Sequence, residues 1–150
     1  MSGRVDPMRM VDISDKEVVH REAEAVGTIS LRKETIDAIK DGKVRKGDPL
    51  QAAELACILA VKKTPEIVPL CHPIPITSVE ADFELGQETI QARCRVSADY
   101  KTGVEMEALV GVTAALLNIW DMVKYLEKDD EGQYPYTVIT GVRVTEKRKG

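Results

Sequence analysis

Alternation is the first pattern along the chain. Between Arg21 and Leu31, the residues Ala23, Ala25, Gly27, Ile29 and Leu31 share one face, and Glu22, Glu24, Thr28 and Ser30 share the other, with Val26 between the two sets. A period of two predicts a strand with one buried face. The stretch KETIDAIKDG follows as a short helix ending at Gly42. Asp48 and Pro49 then supply an N-cap and a first-turn proline for a helix running to about residue 63. That helix is apolar over most of its circumference, so it is expected to be largely buried. Two further alternating runs carry Val79, Ala81, Phe83, Leu85 and Ile90, Ala92, Cys94, Val96, joined by the hairpin turn GQET. A long helix is predicted from about 103 to 128. Its apparent core stripe is Met106, Leu109, Val110, Thr113, Leu116, Leu117 and Trp120. The loop DDEGQYP precedes a closing strand with Val138, Val142 and Val144 on one face.

The order strand, two helices, strand, strand, helix, strand predicts an α+β fold. The expected form is an antiparallel sheet of ferredoxin-like topology with helices packed on one face. The other sheet face is left for cover or solvent. The polar, weakly patterned residues 1–19 read as a mobile arm.

Composition narrows the function. A chain of 150 residues suits one domain. The net charge of −4, with one Phe, one Trp and four Tyr, argues against nucleic-acid binding. No apolar run approaches the ~20 residues of a membrane span, and MSGRVDPMRM has no apolar signal region. No membrane partner and a cytoplasmic location are the expectation. The three cysteines, Cys57, Cys71 and Cys94, contain no CxxC pair. A disulfide framework and a zinc site are both disfavoured.

Chemistry is sought where local patterns fail. PLCHPIPI sets Cys71 and His72 among three prolines, which rules out helix interior and central strand. Metal site, nucleophile and rigid bend are the three readings. Lys124 continues the apolar stripe of the long helix, with Asp121 one turn before it. It is either a surface ion pair or a desolvated lysine suited to acid–base work. Thr102 and Glu105 have capping-box spacing, a sufficient structural reason for Glu105, whereas Glu107 has none. Glu107 and Asp121 lie 14 residues apart, about 21 Å along a continuous helix. Both can serve one site only if that site is long or shared between subunits. Lys46 and Gly47 precede a helix start, where anions are favoured. Lys62 and Lys63 suit the C-terminal dipole of the same helix.

Taken together, KGD, PLCHP, KTGVEMEAL and DMVK, in this order and spacing, resemble the molybdenum cofactor biosynthesis protein C family, the cyclic pyranopterin monophosphate synthases. The resemblance spans residues 10–147 and includes MVDIS near the start. It implies a flexible extension at 1–9 and a single catalytic domain at 10–150. It also implies a lyase of the phosphorus–oxygen type that converts 3′,8-cyclo-7,8-dihydro-GTP to cyclic pyranopterin monophosphate and releases pyrophosphate. Lys46, Asp121 and Lys124 fall on the family's acid–base centre. Leu70, Cys71, His72, Glu105, Met106 and Glu107 fall on its substrate site, as do the basic positions Arg21, Lys62 and Lys147. A homohexamer, a trimer of dimers with sites at a dimer interface, is implied as well. No resident cofactor or metal is expected; magnesium could arrive on the substrate phosphates. On this reading the prolines fix a short pocket wall, His72 hydrogen-bonds substrate and Cys71 packs beside it. The alternative is a ferredoxin-like nucleotide-binding regulatory module without catalysis.

Overall fold

The computed structural model describes residue 3 and residues 5–150. Of the expected extension at 1–9, residues 1, 2 and 4 therefore lie outside the described residues. The elements are β1 (Val19–Ser30), α1 (Lys33–Lys40), α2 (Pro49–Lys62), the short α3 (Thr64–Ile67), β2 (Ile76–Leu85), β3 (Thr89–Tyr100), α4 (Glu105–Glu127) and β4 (Val138–Lys149). The sheet order is β2-β3-β1-β4, and every pairing is antiparallel. This is the ferredoxin-like arrangement that the element order predicts.

Local chemistry sets the element ends. Asp48 accepts hydrogen bonds from the backbone N–H of Leu50 at 2.9 Å and of Gln51 at 3.4 Å, with Pro49 in the first turn. Gly42, at φ 67°, takes the left-handed conformation just past α1. The core lies between the sheet and helices α2 and α4, with Ala25, Ile29, Cys94, Val96, Val112, Leu116 and Ile119 fully enclosed. The opposite sheet face is charged. There Glu24 meets Arg93 at 3.2 Å and Arg95 at 2.9 Å.

Four expectations are corrected. Helix α2 buries only the stripe Pro49, Ala53, Cys57 and Val61, and leaves Leu55 and Leu59 exposed. On α4 the stripe of large residues is mostly the outer face. The core side is Ala108, Gly111, Val112, Ala115, Leu116, Ile119 and Val123, while Leu117 is 55% exposed. The reason is close approach. A Cβ on Gly111 would come 2.7 Å from Val61 Cγ2 and 2.8 Å from Cys94 Sγ. Only small residues let α4 sit that near α2 and β3.

The third correction concerns β4. Register shifts at Glu24/Ala25 and Val26/Thr28 set Val138 opposite Ser30 but Val144 opposite Ala25. Directly opposed residues share a face, so Val138 lies on the other face from Val144, and Gly141 at φ 66° sits where the register slips. Fourth, the capping box does not form. Val104 is the N-cap of α4, with no side-chain cap bond.

A buried carboxylate that the pattern did not flag closes the fold. Glu127, at the end of α4, accepts from Arg32 N at 3.0 Å, from Thr35 Oγ1, and from Thr137 Oγ1 at 2.7 Å. By length and composition α4 could cross a membrane, with mean hydropathy 1.4, but half of its apolar window is buried in the fold.

Gly111→Ala should destabilise the protein by about 1–3 kcal/mol through overpacking. Equilibrium denaturation reads this directly. A loss under about 0.5 kcal/mol would mean that the α2–α4–β3 contact has slack to yield.

Candidate active site

Two clusters of site candidates hang on α4, one near each end. The first begins in the loop before α2. Arg45 N–H donates to the Tyr125 hydroxyl at 2.9 Å, and its guanidinium lies 4.4 Å from that ring centre. This holds the loop against the last turns of α4. The next residue, Lys46, then reaches Asp121 Oδ2 at 2.8 Å. Lys124 meets the other oxygen, Oδ1, at 3.2 Å. One carboxylate is thus clasped by two ammonium groups. The Lys46 hydrogen bond, then that of Lys124, hold the Asp121 carboxyl below its ordinary range. The trio carries a net positive charge and is open to an anion. Beside it is a shallow cavity of about 370 Å³ lined by Leu117, Trp120, Asp121, Lys124 and Ile139. Of the two readings of Lys124, the surface ion pair is the one seen within one chain, since its side chain is 45% exposed.

The second cluster forms around the start of α4. A turn closed by Cys71 N–H to Val68 O at 3.1 Å leads the chain from α3 into the proline-bounded stretch. A cavity of about 360 Å³ is lined by Leu70, Cys71, His72, Glu105, Met106 and Glu107, and also by Val11, Asp12, Ile13 and Lys16. Both motifs singled out in the sequence, LCH and VEME, therefore meet here. Glu107 is only 2% exposed. Burial pushes its carboxyl above the ordinary range, and nearby Glu105 adds to the shift. Burial, then Glu107, raises the Cys71 thiol. A thiol held in its neutral form is a poor nucleophile.

Released from capping, Glu105 pairs with Lys147 at 3.0 Å. The carboxylate folds over Gly103, where a Cβ would come within 2.3 Å of it. The β4 register sets Lys147 opposite Ala23, on the helix side of the sheet. Arg21 is 5% exposed. Its Nε and terminal nitrogen donate to the carbonyls of Tyr100 at 3.4 Å and Lys101 at 3.2 Å. In one chain it therefore braces the loop leading to Thr102 and Gly103. Lys62 is exposed in the last turn of α2 and makes no ion pair among the described residues. No group of three His, Cys, Asp or Glu side chains gathers at metal-binding distance among the described residues.

Sequence patterning missed the cavity's N-terminal lining, since Val11–Lys16 has no periodicity. It also missed the Arg45–Tyr125 stack. The cysteines Cys57, Cys71 and Cys94 are free thiols.

The model of the MoaC family matches residues 10–150. The chain belongs to the MoaC family. One similar relative is the "probable cyclic pyranopterin monophosphate synthase" of Pyrococcus abyssi, 62% identical over 95% of this chain and 89% of its own length. The protein of the same name from Thermococcus kodakarensis is 59% identical over 95% of this chain and 92% of its own. A relative from Methanothermobacter thermautotrophicus, 55% identical over 95% of this chain and 89% of its own, is named a probable synthase accessory protein. The MoaC family match begins at Met10, so it takes in the segment Val11–Lys16 that lines the cavity.

The buried Glu107 gives this MoaC-family chain a pH signature. Its raised carboxyl means that the folded state keeps a proton the unfolded chain has already lost. Between the ordinary carboxylate range and the raised value, stability falls as pH rises. Glu107→Gln has no such proton. Its stability relative to the parent should improve from about pH 4 to about pH 7. Denaturant unfolding at both values checks this; an equal difference at both would refute it.

Proposed function

We propose that this chain is a cyclic pyranopterin monophosphate synthase of molybdenum cofactor biosynthesis. It would convert 3′,8-cyclo-7,8-dihydro-GTP to cyclic pyranopterin monophosphate and release pyrophosphate. The observation that carries the reading is the clasp of Asp121 by Lys46 and Lys124, residues brought together from two separate motifs. The names of the relatives point the same way.

The chemistry suits these groups. Cyclic phosphate formation has a sugar hydroxyl attack the α-phosphorus while the bond to the β-phosphate oxygen breaks. No water is consumed, which makes the step that of a phosphorus–oxygen lyase. The leaving pyrophosphate gathers charge, and preorganised ammonium groups stabilise it most where water is excluded. At ~4 Å and an effective dielectric near 20, each close charge pair is worth about 4 kcal/mol. Lys46 and Lys124 are suited to proton transfer during ring rearrangement, with Asp121 orienting both. The LCH and VEME cavity would hold the ring system, with His72 as the hydrogen-bonding group and Cys71 as packing. Any magnesium would enter on the substrate phosphates, since that ion is commonly held through them.

The two clusters lie about 21 Å apart along α4. A single active site therefore suits pairing of one chain's Lys46–Asp121–Lys124 with a neighbour's LCH–VEME cavity, as in a homohexamer with sites at a dimer interface. Arg21, Lys62 and Lys147 would add cations around it. We place the enzyme in the cytoplasm.

Incubation with the cyclised GTP derivative, with assay of pyrophosphate, tests the activity; binding without release would favour a regulatory module instead. Lys46→Ala and Lys124→Ala should each lower turnover at least a thousandfold, about 4 kcal/mol in the barrier, while remaining folded by circular dichroism. Near-normal rates in both would sink these roles. Cys71→Ser should retain most activity and His72→Ala lose most of it; the reverse ranking would make Cys71 the working group.

A further inference from the structure

We propose that the N-terminal segment Val11–Lys16 is a working wall of the LCH–VEME cavity, and that its backbone sets which nitrogen of His72 faces a ligand as acceptor. His72 Nε2 lies 2.7 Å from the carbonyl oxygen of Val11. A carbonyl has no hydrogen to give, so the ring must donate. Nε2 therefore carries the proton. In the neutral ring Nδ1 is left with a lone pair, and it makes no hydrogen bond among the described residues. A free histidine exchanges its two tautomers; this one is committed by a backbone atom.

The segment does not depend on His72 for its place. Asp12 Oδ1 accepts from Ser14 N at 2.9 Å and from Ser14 Oγ at 2.7 Å. Lys16 N–H closes a turn onto Ile13 O at 3.1 Å, and Ile13 is half-buried. Lys101 Nζ donates to Ser14 O at 3.2 Å. Lys101 belongs to the loop whose carbonyls Arg21 braces. A chain of contacts thus runs from β1 through that loop to the segment and on to the imidazole. Val11, Asp12, Ile13 and Lys16 all line the same cavity as Cys71, Glu105 and Glu107.

The consequence is a recognition rule. A neutral His72 locked in this way accepts at Nδ1, so it reads an N–H or O–H donor on the ligand. A guanine-derived ring system presents such N–H groups. That last step rests on the synthase reading; the tautomer does not.

The test uses the full-length protein labelled with ¹⁵N in its imidazole rings, with His20→Asn to separate the only other histidine. In the alkaline limit His72 should show a protonated Nε2 and an unprotonated Nδ1. A protonated Nδ1 would overturn the proposal. Ile13→Gly combined with Lys101→Met releases two anchors of the segment. It should return His72 towards the tautomer mixture of free histidine and raise KM about tenfold, as one lost hydrogen bond would. A changed tautomer with unchanged KM would remove the segment from the binding site. Should the double variant unfold, Asp12→Ala, an exposed side chain, takes its place. The tautomer measurement needs no turnover, so failure to release pyrophosphate would count against the synthase reading alone.

Discussion

The close seating of α4 governs the rest of the molecule. Gly111 sits where any side chain would meet Val61 and Cys94, and Ala108 and Ala115 continue the small face one turn to either side. The helix is thereby fixed in height and rotation against α2 and β3. Both clusters of site candidates inherit that precision, because Glu105, Met106 and Glu107 leave its first turn and Asp121 and Lys124 leave its last third. A rigid rod with candidate groups near both ends is a simple way to hold two clusters at a fixed separation. It places positioning on a helix rather than on loops, where geometry is looser.

The two ends differ in character. Near the C-terminal end, charges are exposed and only partly compensated, with one carboxylate between two ammonium groups. In water such pairs contribute little to stability, so their worth lies in what they can do once solvent is excluded. The N-terminal end is drier. Burial shifts Glu107 and Cys71 towards their neutral forms there. One end presents exposed charge and the other a buried, largely neutral pocket.

Much of the architecture was legible because alternation and helix signals agree along the chain. The strands, the Asp48 cap and the ferredoxin-like order all follow from them. What misled was size. In α4 the large apolar residues mark the outer face, and the small residues, which carry little weight in a hydrophobic stripe, mark the core. The same blindness affected α2, whose uniform apolar composition hid an exposed Leu55 and Leu59. Glu105 was assigned to a local capping box, but a distant partner, Lys147, competes for it. Bulges in β4 reversed a face that strict alternation had set for Val138. The site motifs were legible as residue types. Patterning did not group Lys46 with Asp121 and Lys124, because tertiary folding alone brings residue 46 to residue 121; only the family resemblance placed the three together.

Glu127 ties distant stretches of the chain to one point. Its three donors come from residues 32, 35 and 137, on both sides of the long middle of the chain. A carboxylate buried without those donors would stand unsatisfied in an apolar setting, which is strongly disfavoured. Thr137 lies ten residues from Glu127, whereas Arg32 and Thr35 lie 95 and 92 residues away, so one carboxylate joins a local contact to two distant ones. Glu127 therefore acts as a clamp between the two ends of the fold. The entry to the edge strand β4, which carries Lys147, is thus held by the same carboxylate that holds the entry to α1.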